Sequence, residues 1–196
     1  GQTGNAPSDT ITYTAGLYYV SLIVTNTGGC SDTSVKSVVV NQTPTAAASI
    51  SVTQGCSPVT MSFTNNSLNA TSYSWNFGNG ATSTASDPVY TYTTPGVYPV
   101  VLTATSAAGC VDSVLLPLPI SVYENPVAAF TSNPASGCAP LNVSFQNNST
   151  GLVNPVYDWD FGNGQTSTAA NPSMNFDTAG VYAVTLIVSN TGGCSD

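Results

Sequence analysis

The sequence predicts an all-β protein made of antiparallel β-sandwiches that follow one another end to end. The first observation behind this fold class is that the chain repeats itself, with copies of one motif offset by 80 and then 84 residues. The second is that apolar and polar side chains alternate, which is the period of a half-buried strand. The third is that turn signals such as Asn-Gly separate these runs, while no run shows the helical period with caps.

The repeated motif defines the domain organisation. It occurs as AGLYYVSLIVTNTGGCSD at residues 15–32, PGVYPVVLTATSAAGCVD at 95–112 and AGVYAVTLIVSNTGGCSD at 179–196. Gly1 and Gln2 align with Gly164 and Gln165, so the chain is expected to begin inside a repeat. We therefore predict three units: the second half of a repeat (1–43), a complete repeat (44–124), and a repeat that lacks its last strand (125–196).

Each predicted strand follows from the alternation within a repeat. Val59, Met61 and Phe63 alternate in the complete repeat, and an aromatic run reaches Asn79-Gly80, a strong signal for a hairpin turn. The run that starts at Tyr98 alternates again and ends near a cysteine. The aromatic residues of these strands in both repeats are the predicted structural core: Trp75, Phe77, Tyr98, Trp159, Phe161 and Tyr182.

Composition excludes several functions. The 196 residues carry a formal net charge of -8, with Lys36 as the one cation and no histidine. A single lysine cannot form the basic face that nucleic-acid binding needs. Catalytic triads and zinc sites that depend on histidine are excluded as well. The longest apolar run, 114–120, is broken by two prolines and is far shorter than the roughly 20 residues that span a membrane.

The connections between repeats are short and contain proline. They fall at residues 41–44 and 124–126, where proline removes a backbone donor and restricts φ. Linkers of this length do not behave as flexible coils. Successive domains are therefore expected to form a rod.

The motifs WNFGNG and WDFGNG resemble the WDFGDG signature of the polycystic-kidney-disease (PKD) domain, and GCAPLNVSF before it and AGVYAVTLIVSN after it fit as well. The resemblance implies immunoglobulin-like β-sandwiches of the PKD type. Low-charge arrays with paired cysteines resemble those of large Bacteroidota surface adhesins and gliding-motility proteins. PKD modules also accompany secreted hydrolases. The usual acid of the signature is replaced by Asn79 and Asn163, which weakens any cation site that depends on it.

The five cysteines predict disulfides and an oxidising, extracellular location. Cys56 to Cys110 and Cys138 to Cys194 join the same two points of the repeat, so we predict these two bonds. Cys30 matches Cys110, and its partner is expected before residue 1. A metal site is the weaker alternative, because each domain has two cysteines and no histidine.

The other polar and aromatic candidates have a structural alternative in each case. Asp158 and Asp160 flank a tryptophan and are weak Ca²⁺ candidates, but the complete repeat has Ser74 and Asn76 there, so no cofactor is expected. Trp75 and Trp159 could stack on sugars, although a buried position is favoured. The remaining candidates are tyrosine corners at Tyr18, Tyr98 and Tyr182, turn-stabilising aspartates at Asp32, Asp112 and Asp196, and O-glycosylation at Thr10, Ser113 and Thr178.

Two functions remain after these exclusions. The first is a structural or adhesive stalk or filament segment of a large extracellular repeat protein without catalysis. Its partners would be neighbouring repeats, identical chains in a filament, or surface glycans and proteins. The second is an accessory, substrate-holding module of a secreted hydrolase. Repetition without a unique site favours the first.

Overall fold

The computed structural model describes residues 3–4 and 8–196, so the alignment of Gly1 and Gln2 lies outside the described part of the chain. Every regular element in that part is a strand, which confirms the predicted all-β class. The strands are β1 (Gly16–Thr25), β2 (Ser31–Val40), β3 (Ala48–Ile50), β4 (Gln54–Cys56), β5 (Val59–Asn65), β6 (Ser72–Asn76), β7 (Thr82–Ser83), β8 (Val89–Tyr92), β9 (Gly96–Tyr98), β10 (Val101–Thr105), β11 (Val111–Leu115), β12 (Ile120–Tyr123), β13 (Phe130–Asn133), β14 (Leu141–Asn147), β15 (Val156–Asp160), β16 (Thr166–Ser167), β17 (Ser173–Phe176) and β18 (Thr185–Ser189).

The first unit is a long antiparallel hairpin, here called the first hairpin. Its strands β1 and β2 pair from Gly16↔Val40 to Thr25↔Ser31. The apolar side chains of both strands are largely exposed, including Leu22 at 64% and Val39 at 64%. In the described residues β2 pairs only with β1, so its other edge carries free backbone donors and acceptors.

Residues 45–123, here called the second repeat, form a complete sandwich. One sheet has the order β3-β5-β8, and the facing sheet has the order β11-β10-β6-β7. A third group, β4-β12-β9, closes one end, with β12 parallel to β4 and antiparallel to β9. This arrangement buries the alternate residues that the period of two predicts, such as Met61 and Phe63 in β5.

The core of the second repeat is aromatic. Trp75 is fully buried, and its ring centroid lies 5.5 Å from that of Phe63. The indole N–H of Trp75 donates to the carbonyl of Ala85 at 3.1 Å, so burial leaves no unpaired donor. Phe77 stacks on Tyr90 with ring centroids 4.3 Å apart.

Residues 127–196, here called the third repeat, reproduce the same two sheets as β13-β14-β17 and β16-β15-β18. The register is shared: Trp159 is opposite Leu186, as Trp75 is opposite Leu102. Trp159 is fully buried and donates to the carbonyl of Ala169 at 2.9 Å. The sequence repeat is thus a structural repeat, which agrees with the predicted tandem sandwiches.

A buried proline immediately precedes each of the two repeats. Pro44 and Pro126 are buried, and the residues that follow them pair across the repeat in single bridges, Thr45 with Leu68 and Val127 with Thr150. None of the described residues form a helix that is long and apolar enough to cross a membrane.

Candidate functional site: the junction between the repeats

The second and third repeats are joined by a covalent bond in addition to the linker. Cys56, at the end of β4, forms a disulfide with Cys194, which follows β18 by five residues. The two Cα atoms are 5.6 Å apart, within the range that disulfides require, although 138 residues separate them in sequence. The bond therefore closes a loop that contains nearly all of both sandwiches.

Backbone pairing in the second repeat positions Cys56. Parallel pairing of β4 with β12 sets Cys56 opposite Tyr123, the last residue of the final strand. The Ser57 N–H then donates to the Tyr123 carbonyl at 2.9 Å. The side-chain amide of Asn125 donates to the Ser57 carbonyl at 2.7 Å, so the linker itself is bound to the segment that carries the cysteine.

A tight turn in the third repeat positions Cys194. Asn190 is buried, and its side-chain oxygen accepts the N–H groups of Gly192 at 2.9 Å and Cys194 at 3.2 Å. Its side-chain amide donates to the carbonyl of Glu124 in the linker at 2.7 Å. Asn190 thereby fixes the turn and attaches it to the preceding repeat.

Gly192 allows the two repeats to approach closely. A Cβ built on Gly192 would lie 2.3 Å from ring atoms of Tyr123, which is closer than side chains pack. Tyr123 therefore lies over a backbone surface that only glycine offers. The junction combines a disulfide, two side-chain amide bonds to backbone and one aromatic contact.

The predicted pairing of Cys56 with Cys110 and of Cys138 with Cys194 is wrong in this structure. Cys110 precedes β11, whereas Cys56 is opposite Tyr123 at the end of β12. Since Gly96 pairs with Val122 and Thr105 pairs with Val111, the two cysteines lie at opposite ends of the sandwich. Thr105 lies nine positions after Gly96 in the chain, which is a distance of about 30 Å when the backbone is extended. Cys110 is a half-buried thiol, and Cys30 and Cys138 are exposed thiols.

The weak calcium candidates do not form a cation cluster. Asp158 and Asp160 are exposed on either side of buried Trp159, and the described residues contain no group of three or more metal-ligating side chains. Asp160 accepts the Gly162 N–H at 2.8 Å. In the second repeat Asn76 accepts the Gly78 N–H at 2.9 Å in the same way. The position needs a hydrogen-bond acceptor, and either side chain supplies one.

The aspartates that follow the cysteines do not stabilise their own turns, contrary to the prediction. Asp112 accepts the backbone N–H of Ala46 at 2.8 Å, and Asp196 accepts that of Ala128 at 2.8 Å. Each carboxylate therefore ties the beginning of its repeat to the strand after the turn. Among the described residues, the Asp32 side chain accepts a hydrogen bond from its neighbour Thr33 at 2.8 Å and from no residue across the repeat. The turns themselves are stabilised by Asn26, Ser106 and Asn190.

The tyrosines after Gly-x form the corner hydrogen bonds expected of them. The hydroxyl of Tyr98 donates to the Thr94 carbonyl at 2.7 Å, and the corresponding bonds of Tyr18 and Tyr182 are both 2.9 Å long. Tyr98 and Tyr182 are half-buried and pack against the core clusters, while Phe77 and Phe161 lie inside them. With both tryptophans buried, no indole face is available for stacking on a sugar.

The sequence profile of the PKD domain matches residues 41–116 and 123–196, which together make up most of the chain. The chain belongs to the PKD domain family. It is 48% identical over 58 residues to the pre-pro-metalloprotease PrtV of Vibrio cholerae. That match covers 29% of this chain and 6% of the protease, so the chain spans only a small part of this relative.

Solved PKD domains are also similar to this chain. The PKD1 domain of the Vibrio cholerae metalloprotease PrtV is 32% identical, with a TM-score of 0.36, and the match covers 41% of this chain and 99% of that domain. The PKD1 domain of Vibrio anguillarum Epp is 30% identical, with a TM-score of 0.37, and the match covers 42% and 99%. The shared region corresponds to about one PKD repeat.

The glycosylation candidates in these PKD repeats are exposed. Thr10, Ser113 and Thr178 all lie at the surface. The hydroxyl of Thr178 is 2.7 Å from that of Tyr182, and the hydroxyl of Ser113 is 2.9 Å from that of Thr103. Modification of Ser113 or Thr178 would therefore break one of these two hydrogen bonds.

Sequence reasoning missed the junction residues. Asn190 and Gly192 belong to the run NTGGC, which also occurs at residues 26–30. The Asn that lies three residues before the second Gly in both runs indicates a turn, because Asn side chains commonly hydrogen-bond to the backbone of their own turn. Nothing in that run indicates that the amide also binds the linker of another repeat.

Proposed function

We propose that this chain is a segment of a structural or adhesive stalk or filament in a large extracellular repeat protein, and that it performs no catalysis. The observation that carries the proposal is the Cys56–Cys194 disulfide across the repeat junction. A bond placed there stabilises the connection between domains rather than a pocket within one. Its formation requires an oxidising compartment, which supports an extracellular location.

The distribution of chemistry along the chain also supports a stalk. The two repeats make the same hydrogen bonds at equivalent positions, such as those accepted by Asn76 and Asp160 or by Asp112 and Asp196. Repetition of this kind provides length and stiffness, since each unit contacts mainly its neighbours. The proposed partners are neighbouring repeats, identical chains in a filament, and surface glycans or proteins.

Single-molecule pulling on the full chain, held at its two ends, tests the proposal. In oxidising buffer the segment between Cys56 and Cys194, a sequence separation of 138, should not extend, because the disulfide carries the load past both repeats. Reduction should release it and add about 480 Å of contour length. The double variant Cys56→Ser, Cys194→Ser is the matched control and should extend fully without reductant. Equal extension with and without reductant would contradict a load-bearing role.

A second candidate is an accessory module of a secreted hydrolase. The similarity to the PKD region of a Vibrio metalloprotease favours it. Such a module should retain substrate, so the chain should co-sediment with insoluble polysaccharide or with collagen fibrils. Sedimentation together with unchanged extension on reduction would place this function ahead of the stalk.

A further inference from the structure

We propose that Cys110 and Cys138 each form a junction disulfide of the Cys56–Cys194 kind with a cysteine of another PKD repeat. Cys110 takes a cysteine of the Cys56 type from a preceding repeat. Cys138 takes a cysteine of the Cys194 type from a following repeat. The disulfides then link every repeat to the next and none closes within a repeat. This inference rests on the geometry of the junction and not on the stalk function.

The turn that carries Cys110 has the same construction as the bonded turn. Ser106 accepts the N–H of Cys110 at 3.1 Å, as Asn190 accepts that of Cys194 at 3.2 Å. Gly109 and Gly193 both adopt positive φ, at 84° and 77°. The backbone bond that closes the turn is 2.9 Å long at Cys110 and 3.0 Å long at Cys194. The two thiols are therefore held in the same local geometry.

The linker before the second repeat passes beside the turn that carries Cys110. The linker before the third repeat passes beside the turn that carries Cys194 in the same way. Asn41 and Gln42 line a cleft together with Ser106, Ala107 and Ala108. At the bonded junction the equivalent linker residue, Glu124, accepts a hydrogen bond from the turn residue Asn190. The end of the first hairpin therefore lies beside the turn that carries Cys110, as the end of the second repeat lies beside the turn that carries Cys194.

The free edge of β2 provides the place for the missing partner. In the second repeat, β4 pairs in parallel with the end of β12 and thereby brings Cys56 to the junction. Val38 and Val40 of β2 correspond to Ile120 and Val122 of β12 when the linker prolines are aligned. A strand of the β4 type added to this edge would bring its cysteine to Cys110.

A groove beside Cys138 marks the complementary end. It has a volume of about 330 Å³ and is lined by Gly137, Leu141 and Tyr182, among others. Gly137 and Tyr182 correspond to Gly55 and Tyr98, and β12 lies between the strands that carry those two residues. A strand of the β12 type in the groove would be followed by a linker and a further repeat. In the same way, β12 ends at Tyr123 and is followed by the linker and the repeat that carries Cys194.

The bond forms by oxidation of two thiols. Each cysteine loses its proton, the two sulfurs join, and two electrons pass to a disulfide oxidant such as oxidised glutathione, which leaves as two thiols. The loops closed by successive disulfides overlap. The shortest covalent path through two successive repeats therefore crosses one disulfide and then follows the chain from Cys110 to Cys138, a separation of 28 residues. Even fully unfolded, this path extends to about 100 Å per two repeats.

Duplicating residues 44–125 directly after residue 125 of the full chain tests the inference. The variant is refolded in a glutathione redox buffer, and its linkages are mapped by mass spectrometry after non-reducing digestion. Cys56 of the first copy should be bonded to Cys110 of the second copy, and Cys56 of the second copy to Cys194. Bonds between Cys56 and Cys110 of the same copy would overturn the proposal, and so would free thiols at Cys56 of the first copy and Cys110 of the second copy.

Two controls make the result unambiguous. Changing Cys110 of the second copy to Ser should free Cys56 of the first copy for alkylation and leave the bond to Cys194 intact. In the unmodified chain Cys138 should react with N-ethylmaleimide, whereas a disulfide between Cys138 and Cys194 would overturn its assignment. Because these experiments read linkage and not extension, their failure is distinct from failure of the stalk function.

Discussion

The hydroxyl of Tyr92 donates a hydrogen bond of 3.0 Å to the carbonyl of Phe77 inside the core of the second repeat. Burial, reinforced by the nearby hydroxyls of Tyr90 and Tyr98, raises the pKa of Tyr92 well above its ordinary value of 10.0. The third repeat has Phe176 at this position, which is also buried. The two repeats therefore differ in how a shared aromatic layer responds to alkali.

We predict that Tyr92 makes the second repeat sensitive to alkali. Below its ordinary pKa, Tyr92 is protonated in both states and its stabilisation is fully present. Above that value the unfolded chain loses the proton while the folded chain keeps it, so stability falls by about 1.4 kcal/mol per pH unit. Urea titrations followed by tryptophan emission, repeated from neutral pH to above the ordinary tyrosine pKa, measure this slope.

The variant Tyr92→Phe is the matched control. It loses the bond to Phe77 and should be less stable near neutral pH by about 1 kcal/mol. The deficit should shrink as the pH rises above the ordinary tyrosine pKa, because phenylalanine cannot ionise. Parallel pH dependence of the variant and the parent would contradict the assignment.

Asp112 should matter more than its counterpart in the first hairpin. Its carboxylate accepts the Ala46 N–H across the repeat, so Asp112→Ala leaves a half-buried donor without a partner. The expected loss is about 1–3 kcal/mol in the free energy of unfolding. Asp32→Ala is the control and should change stability by less than about 0.5 kcal/mol, since in the described part of the chain Asp32 bonds to its exposed neighbour Thr33 and not across a repeat. Equal effects would show that the bond to Ala46 is not the reason.

Asp160 is predicted to act as a hydrogen-bond acceptor and not as a calcium ligand. Asp160→Asn should leave the melting temperature unchanged, because Asn76 makes the same bond in the second repeat. Asp160→Ala should cost about 1 kcal/mol through loss of the bond to Gly162. A chelator should change the melting temperature little in either background. A drop of about 10 °C on adding chelator would reveal a bound cation that stabilises the fold.

Trp75 is expected to be the most costly single truncation in the second repeat. It is fully buried and hydrogen-bonded, so Trp75→Ala should lower the free energy of unfolding by about 3–5 kcal/mol. That is a large share of the stability of a domain of this size. Leu115→Ala, at a site 58% exposed, is the control and should have little effect. Thermal denaturation by circular dichroism measures both variants, and a similar loss from each would contradict the assigned core.

The sequence by itself determined the repeats, the strands and the residues that fill each sandwich. Alternation in β5 and in the strand that ends at Asn76 was enough to place Met61, Phe63 and Trp75 inside, because a strand with one buried face must alternate. The Asn-Gly runs placed the hairpin turns that follow the aromatic strands for the same local reason. These features depend on neighbours within a few residues, and the sequence shows such neighbours directly.

Only the tertiary structure decided which cysteines meet. Aligning the two repeats shows that Cys56 matches Cys138 and that Cys110 matches Cys194. This alignment is equally consistent with a disulfide within one repeat and with a disulfide between two repeats. The choice depends on the direction of the strands that run from Cys110 to Tyr123, which carry the two cysteine positions to opposite ends of the sandwich. The same holds for Asn190, whose amide reaches Glu124 only because the two repeats are stacked end to end. Contacts between distant segments follow from how whole domains pack, and no local pattern encodes them.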